Sequence, residues 1–232
     1  MHEHTMKAFD ADIDGMRSTV MTMGGLVEKQ FTRAIDALEH SALRLITQVL
    51  ADEEIVNQYH LQADLLCNQI LARRQPVAVD LRELIGALHT VNDLERIGDE
   101  AKKIALKARD LDQHVGRGAL PFARVRAMAE GVRRMLSEAL DAFVRHDPTV
   151  AARLLAQDAE VDSLRDSLNA ELLGLMASEP ASISASMDLV FVVQSIERVG
   201  DHAKNVAEYV VNVVEGVDMR HSAAEAARKA AG

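Results

Sequence analysis

The sequence predicts an all-α protein made of two tandem homologous three-helix bundles, six long antiparallel helices in all. Three observations predict this. Apolar residues recur at spacings of three and four over long stretches, and helix breakers are few. The whole pattern of three helices then restarts after a loop ending near residue 121. Composition agrees: hydrophobic residues make up 48% of the 232, aromatics only 3%, with ten methionines and no tryptophan. Such a chain packs helices through small and flexible side chains, whereas strands draw on aromatic residues that are nearly absent here.

Prolines occur only at 76, 121, 148 and 180, each where the helical rhythm weakens. After a mobile start, a first helix is expected from about Phe9 to His40. Its stripe is Met16, Val20, Met23, Val27, Phe31, Ala34 and Leu38, and Gly24-Gly25 bends it or admits a close neighbour. A second runs from Ser41 or Asp52 to Arg73, with Ile55, Tyr59, Leu66 and Ile70 facing inward; the start, within 41–52, is left open. Arg73-Arg74-Gln75-Pro76 stops it, and Asp80 offers a cap for a third helix reaching Asp110. Gln113 to Pro121 holds two glycines and a proline and is the best internal boundary. A fourth helix spans Phe122 to Arg145. Asp147-Pro148, a cap followed by proline at the first helical position, starts a fifth reaching Ser178, and a sixth runs from Ser182 to Glu215. The expected organisation is therefore 1–114, 115–218 and a frayed alanine-rich tail, 219–232.

Thirty-six acidic residues against 26 lysines and arginines give a formal charge of −10, which repels phosphate backbones and argues against direct nucleic-acid binding. The lone cysteine, Cys67, reads as a buried thiol in a reducing compartment. The first residues lack a secretory signature, and the longest apolar runs, Leu189 to Val193 and Tyr209 to Val214, are too short to span a bilayer. A cytoplasmic protein is expected.

The third and sixth helices repeat one another in detail. At an offset of 102, Glu95, Arg96, Gly98, Asp99, Ala101 and Lys102 recur as Glu197, Arg198, Gly200, Asp201, Ala203 and Lys204. Helical patterning alone preserves hydrophobic spacing, not a run of charges around a mid-helix glycine. The first and fourth helices agree at an offset of 105, where Met23, Val27 and Phe31 match Met128, Val132 and Leu136. Two homologous units account for both.

Glu and Asp at i,i+4 project from one helical face, about 40° apart, and such like charges repel by a few tenths of a kcal/mol. Keeping the pair in both halves invites two readings. Ordinary surface carboxylates, with Arg96 and Arg198 as local partners, are one. Recognition of a metal or a protein is the other, since carboxylate oxygens suit divalent or ferric ions. Leu88 and Val190, seven residues before Glu95 and Glu197, continue a secondary apolar line. Asp93 and Glu208 are candidate extensions of the acidic surface; Lys102 and Lys103 partly neutralise the first copy, so unequal metal affinity is expected. Gly98 and Gly200 cost each helix up to about 1 kcal/mol relative to alanine, which suggests close approach by another backbone. Arg73-Arg74 and Arg133-Arg134 read as solvated charge. The nine histidines form no zinc-like cluster, and no H-E-x-x-H, phosphate-binding loop, dinucleotide loop or nucleophile with its base can be picked out, which argues against an enzyme.

The two E-R-[IV]-G-D-x-A-K segments, with Gln75-Pro76, Asp80-Leu81-Arg82 and Met23-Gly24, closely resemble the PhoU family over almost the whole chain; the second copy departs where Ser186-Met187-Asp188 replaces the Asp-Leu-Arg lead. The resemblance implies a PhoU-like fold and a non-enzymatic negative regulator of phosphate uptake and of the phosphate starvation response. It implies partners as well: the ATPase subunit of the phosphate ABC transporter and a phosphate-sensing histidine kinase, so that the protein associates peripherally with membrane complexes. A homodimer is implied too, as are iron, zinc, magnesium or manganese at Glu95 with Asp99 and Glu197 with Asp201. The rival readings are a metal-free helical scaffold and a carboxylate-bridged metal store or enzyme; the last usually uses Glu-x-x-His pairs, which the sequence lacks.

Overall fold

The computed structural model describes residues 2–40, 42–114 and 117–217; the expected tail, and residues 115 and 116 just past the expected boundary, lie outside them. Six long helices follow in order: α1 (His2–His40), α2 (Leu43–Arg74), α3 (Ala78–Leu111), α4 (Phe122–Arg145), α5 (Val150–Ser178) and α6 (Ile183–Glu215). Short 3₁₀ turns at Arg117–Ala119 and Pro180–Ser182 precede α4 and α6. Among the described residues there is no strand, and no helix is long and apolar enough to cross a membrane.

The stripe expected on α1 is buried at all seven positions. Fully burying side chains such as Val27 or Phe31 stabilises the fold by about 1.5–3 kcal/mol each. The helix begins earlier than expected, at His2, and α2 is one unbroken helix from Leu43, so no turn interrupts 43–52; residue 41 lies outside the described residues. Two start signals act differently from the expectation. Asp80 lies in the first turn of α3 without capping it; the cap position is the extended Val77, and the carboxylate sits where the helix dipole favours it. Asp147 accepts the amide and hydroxyl of Thr149, at 3.0 and 2.7 Å, and the helix starts one residue beyond Thr149.

On α2 the inward line is Ile46, Val49, Asp52, Glu53, Val56, Ala63, Cys67 and Ile70. Ile55, expected inside, is exposed, and Tyr59 and Leu66 are only partly buried. The two carboxylates go inward because α1 supplies their partners. Arg33 pairs with Asp52, and Gln30 Nε2 donates to Glu53 Oε2 at 3.0 Å. One arginine of each basic doublet is tied down as well, while Arg73 and Arg134 stay exposed: Arg74 bonds Asp12 of α1 at 2.9 Å, and Arg133 reaches Glu28 of α1 at 3.1 Å.

Within each half the three helices pack on one another, and the halves join through α3 against α6 and α1 against α4. One core cluster runs through both halves. Gly24 receives the Leu140 side chain of α4, and a Cβ there would come within 2.7 Å of it. Gly86 receives Val213 of α6 in the same way, at 2.6 Å.

The α3–α6 seam repeats one contact by pseudo-twofold symmetry. His202 Nδ1 lies 2.6 Å from Asp93 Oδ1, which also accepts Asn205 Nδ2 at 3.2 Å. The 102-residue offset turns Asp93 into Ser195 and His202 into Glu100, and the Ser195 hydroxyl lies close enough to Glu100 to lower its carboxyl. Asp93 is therefore a buried joint between the halves, not the accessible acid the spacing suggested. Leu88 and Val190 pack partly buried against the core.

Candidate functional site: two unequal acidic clusters

The i,i+4 carboxylates of α3 and α6 both stand at the edge facing the outer helix of their own half. In the first half Glu95 is largely covered and, among the described residues, meets Arg96 alone, 3.7 Å away. One turn on, the Asp99 carboxylate stands close enough to Glu53 of α2 to raise its carboxyl. Gln30 of α1 closes this cluster from below, donating to Glu53, to Val49 O at 3.3 Å and to Gly98 O at 3.4 Å. Its own Oε1 is buried and has no hydrogen-bond partner. Burial pushes the Glu53 carboxyl above the ordinary glutamate value of 4.5, the Gln30 hydrogen bond pulls it back, and the Asp99 carboxylate raises it again; Lys102 opposes weakly from a distance.

The second half answers the same repulsion with fixed cations. Arg165 of α5 donates to Glu197 at 2.5 Å and to Asp162 at 2.7 Å. Lys204 donates to Asp201 at 2.9 Å and to Asp158 of α5. Burial alone would lower the Lys204 ammonium, but the hydrogen bonds to Asp158 and Asp201 outweigh it and hold it above the usual lysine range. Glu197 is raised by burial and by Asp201, and Arg165 restrains the shift. Four carboxylates and two cations interlock α5 with α6.

Local partners were misassigned for one arginine. Arg96 stays beside Glu95, whereas Arg198 reaches across the seam to Glu100, 3.5 Å away. Glu208 is half-buried further along α6. The two glycines also differ from expectation, since side chains rather than backbone approach them. A Cβ on Gly98 would meet Glu53 Oε2 at 3.0 Å, Gln30 Oε1 at 3.1 Å and Val56 at 3.2 Å. On Gly200 it would meet Val132 and Met135 at 3.5 Å and beyond, ordinary contact.

Sequence reasoning missed Gln30, Glu53, Asp158 and Arg165. A signal existed. The 105-residue offset that aligns α1 with α4 also aligns Glu53 with Asp158, Val56 with Val161 and Gln30 with Met135. On α5 Asp158 and Asp162 form another acid pair at i,i+4, while α2 departs from it with Asn57.

Hard oxygen donors are present in both clusters. Among the described residues no group of three or more His, Cys, Asp or Glu side chains is arranged to hold a metal ion. The first cluster fits a cation better, because an orphaned amide oxygen stands beside a carboxyl pair that lacks a contacting cation; in the second, Arg165 and Lys204 occupy the carboxylates.

Comparison with known proteins places this architecture. The family model described as PhoU domain matches twice, at residues 20–108 and 125–210. The phosphate-specific transport system accessory protein PhoU homolog of Pseudomonas aeruginosa is 40% identical over 94% of this chain and 90% of its own length. The corresponding protein of Escherichia coli K12 is 33% identical over 95% and 91%. The crystal structure of PhoU from Pseudomonas aeruginosa superposes with a TM-score of 0.85 at 40% identity, covering 90% of this chain and all of the other. That of the phosphate transport system regulatory protein PhoU from Streptococcus pneumoniae gives 0.83 at 25% identity, over 91% and 99%. The doubled three-helix unit, its repeated acidic helix and these near full-length matches establish that the chain belongs to the PhoU family.

Proposed function

We propose that this protein is a cytoplasmic negative regulator of phosphate uptake and of the phosphate starvation response, which couples the ATPase subunit of the phosphate ABC transporter to a phosphate-sensing histidine kinase by direct contacts. A general part in the regulation of phosphate transport, without catalysis, follows from family membership. The finer reading is carried by one observation: both halves keep an acidic helix edge at matched positions, on a scaffold braced by a continuous core. A rigid body with two such edges suits docking, and phosphate status would act by changing the conformation of the partners. As a homodimer, it would present each edge twice.

The test replaces all four motif carboxylates, as Glu95→Gln, Asp99→Asn, Glu197→Gln and Asp201→Asn, in the full chain. Helical content should survive, and affinity for the purified ATPase subunit or kinase cytoplasmic region should fall by about tenfold in calorimetry. Unchanged affinity for both partners would defeat the docking edge.

A second reading, a bound metal ion, is favoured by the orphaned Gln30 oxygen beside Glu53 and Asp99. Those three groups would hold iron, zinc, magnesium or manganese in the first half, with Glu95 one turn away; Glu197, Asp201, Asp158 and Asp162 would do so in the second only by releasing Arg165 and Lys204. A bound ion would supply charge neutralisation. Elemental analysis of protein purified without chelator tests this, and metal-free protein that takes up no manganese would remove it.

A further inference from the structure

The strongest feature that the acidic clusters do not use lies along the α3–α6 seam. There α3 and α6 frame a groove of about 370 Å³, floored by Leu106 and Phe191 and rimmed by Lys103, Lys107, Arg109 and Arg198. Ile183, Met187 and Phe191, each 42–47% exposed, follow at intervals of four along α6 and extend the apolar floor toward the start of that helix. Three large apolar side chains in one exposed line, continuous with a concave groove, mark an interaction surface rather than scattered surface leucines.

Charge is arranged in depth. Glu100 and Asp188, which pair with Lys103, Arg198 and Lys107, have side chains only 6% and 12% exposed. The cations outside them are 33–54% exposed, so an approaching molecule meets ammonium and guanidinium groups over an apolar floor, Asp110 being the exposed acid. Lys107 also stands over the Phe191 ring, 5.2 Å from its centroid. In a chain of formal charge −10 this is a local inversion of sign.

The fold does not require it. The pseudo-symmetric groove replaces Phe191 by His89, Lys107 by Tyr209, Lys103 by Asn205 and Leu106 by Glu208. There His89 stacks on Tyr209 with ring centroids 5.0 Å apart. One scaffold, used twice, is basic and open on one side and closed by an aromatic pair on the other.

We infer that this α3–α6 groove is the receptor for an acidic amphipathic helix of a partner protein, whose aliphatic or aromatic anchors fill the floor while its carboxylates meet the rim. A concave site between two helices accepts a third helix, which presents anchors at i, i+3, i+4 and i+7. A lipid surface would call for a protruding wedge instead. The inference rests on the docking reading above and assigns it a second surface.

The probes are the purified ATPase subunit and the kinase cytoplasmic region, titrated against the full chain. Phe191→Ser should weaken binding of at least one by about tenfold, as loss of an aromatic anchor does. Arg109→Glu, whose partner among the described residues is the adjacent Asp110, should weaken it by about fivefold and reduce its salt dependence between roughly 50 and 300 mM NaCl. His89→Ser in the other groove should leave both affinities within about twofold. Wild-type thermal stability in the variants separates docking from folding. Full affinity of Phe191→Ser and Arg109→Glu for every probe that wild type binds would overturn this inference alone. Failure of wild type to bind either probe would overturn the docking reading and the groove together. Loss, in these variants, of binding to phosphatidylglycerol vesicles or of self-association in sedimentation, with probe affinity intact, would make the occupant a membrane or a second copy and equally overturn it.

Discussion

The first and second halves bury like charges at the same place and neutralise them differently. Glu53 and Asp99 share their site with a neutral amide, Gln30, and a distant Lys102; Asp158, Glu197 and Asp201 are held by Arg165 and Lys204 in direct contact. The divergence traces to few positions. Gln30 is Met135 in the second half, so the polar floor beneath Gly98 becomes the apolar floor beneath Gly200. Duplication conserved the scaffold and left each half free to set its own electrostatics. The sequence-based expectation of unequal metal affinity set Glu208 with the second acid pair and Lys102 and Lys103 against the first. In the structure Lys103 is drawn off by Glu100 at 2.8 Å, and the second half carries the contacting cations.

The largest effect should come from the seam where one contact occurs twice with different chemistry. Asp93→Ala strands His202 and Asn205 in a buried interface and should cost about 2–4 kcal/mol in urea unfolding. Its counterpart, Ser195→Ala, takes one hydroxyl from beside Glu100, which keeps Lys103, and should cost about 1 kcal/mol or less. Equal costs would mean that the two joints carry the halves alike and that the asymmetry is only chemical.

Next come the glycines. Gly200→Ala gains helix propensity and meets neighbours at ordinary contact, so the fold should be stabilised by up to about 1 kcal/mol. Gly98→Ala gains the same propensity but presses on Glu53 and Gln30, which are buried, and should lose about 1 kcal/mol net. Stabilisation by both substitutions would show that the Gln30–Glu53 cluster yields easily.

A smaller effect depends on pH. The folded pKa of Glu53 is raised, so between the ordinary 4.5 and that raised value the native state keeps a proton that the unfolded chain has released. Its contribution is present below 4.5 and is lost as pH rises through the folded value. Glu53→Gln, an amide that never ionises, should therefore gain stability relative to wild type as pH rises through that window, and the gain should level off above it. A wild-type-like pH profile in the variant would show that the carboxyl titrates as it does in water.

How much of this was legible in the sequence depends on the helix. On α1 every expected inward position is buried, because seven apolar residues at spacings of three and four leave only one face to choose. On α2 the same rule placed Ile55 inside and overlooked Glu53, and the structure reverses both. An outer helix has apolar residues on more than one side, as the exposed Leu61 and Leu65 and, on α5, Leu155 and Leu173 also illustrate. Which side turns inward is decided by Gln30 and Arg33 on another helix, and that lies beyond local periodicity. The acid pairs themselves were legible as a repeat. Their partners were not: an ion pair between α5 and α6 depends on tertiary approach, which i,i+4 spacing does not encode. Mid-helix glycine signalled crowding correctly at Gly98, though from side chains where a backbone was expected, and not at Gly200, where neighbours stand at ordinary contact.

The central claim, restraint of phosphate uptake and of the starvation response, is tested most directly in cells lacking the chain. Phosphate uptake and starvation-gene output would be measured together during growth in ample phosphate. Both are predicted to rise without the protein, to return to wild-type levels with the intact gene, and to stay raised with the four-carboxylate variant. Uptake and output that remain low in the deleted cells would contradict the account.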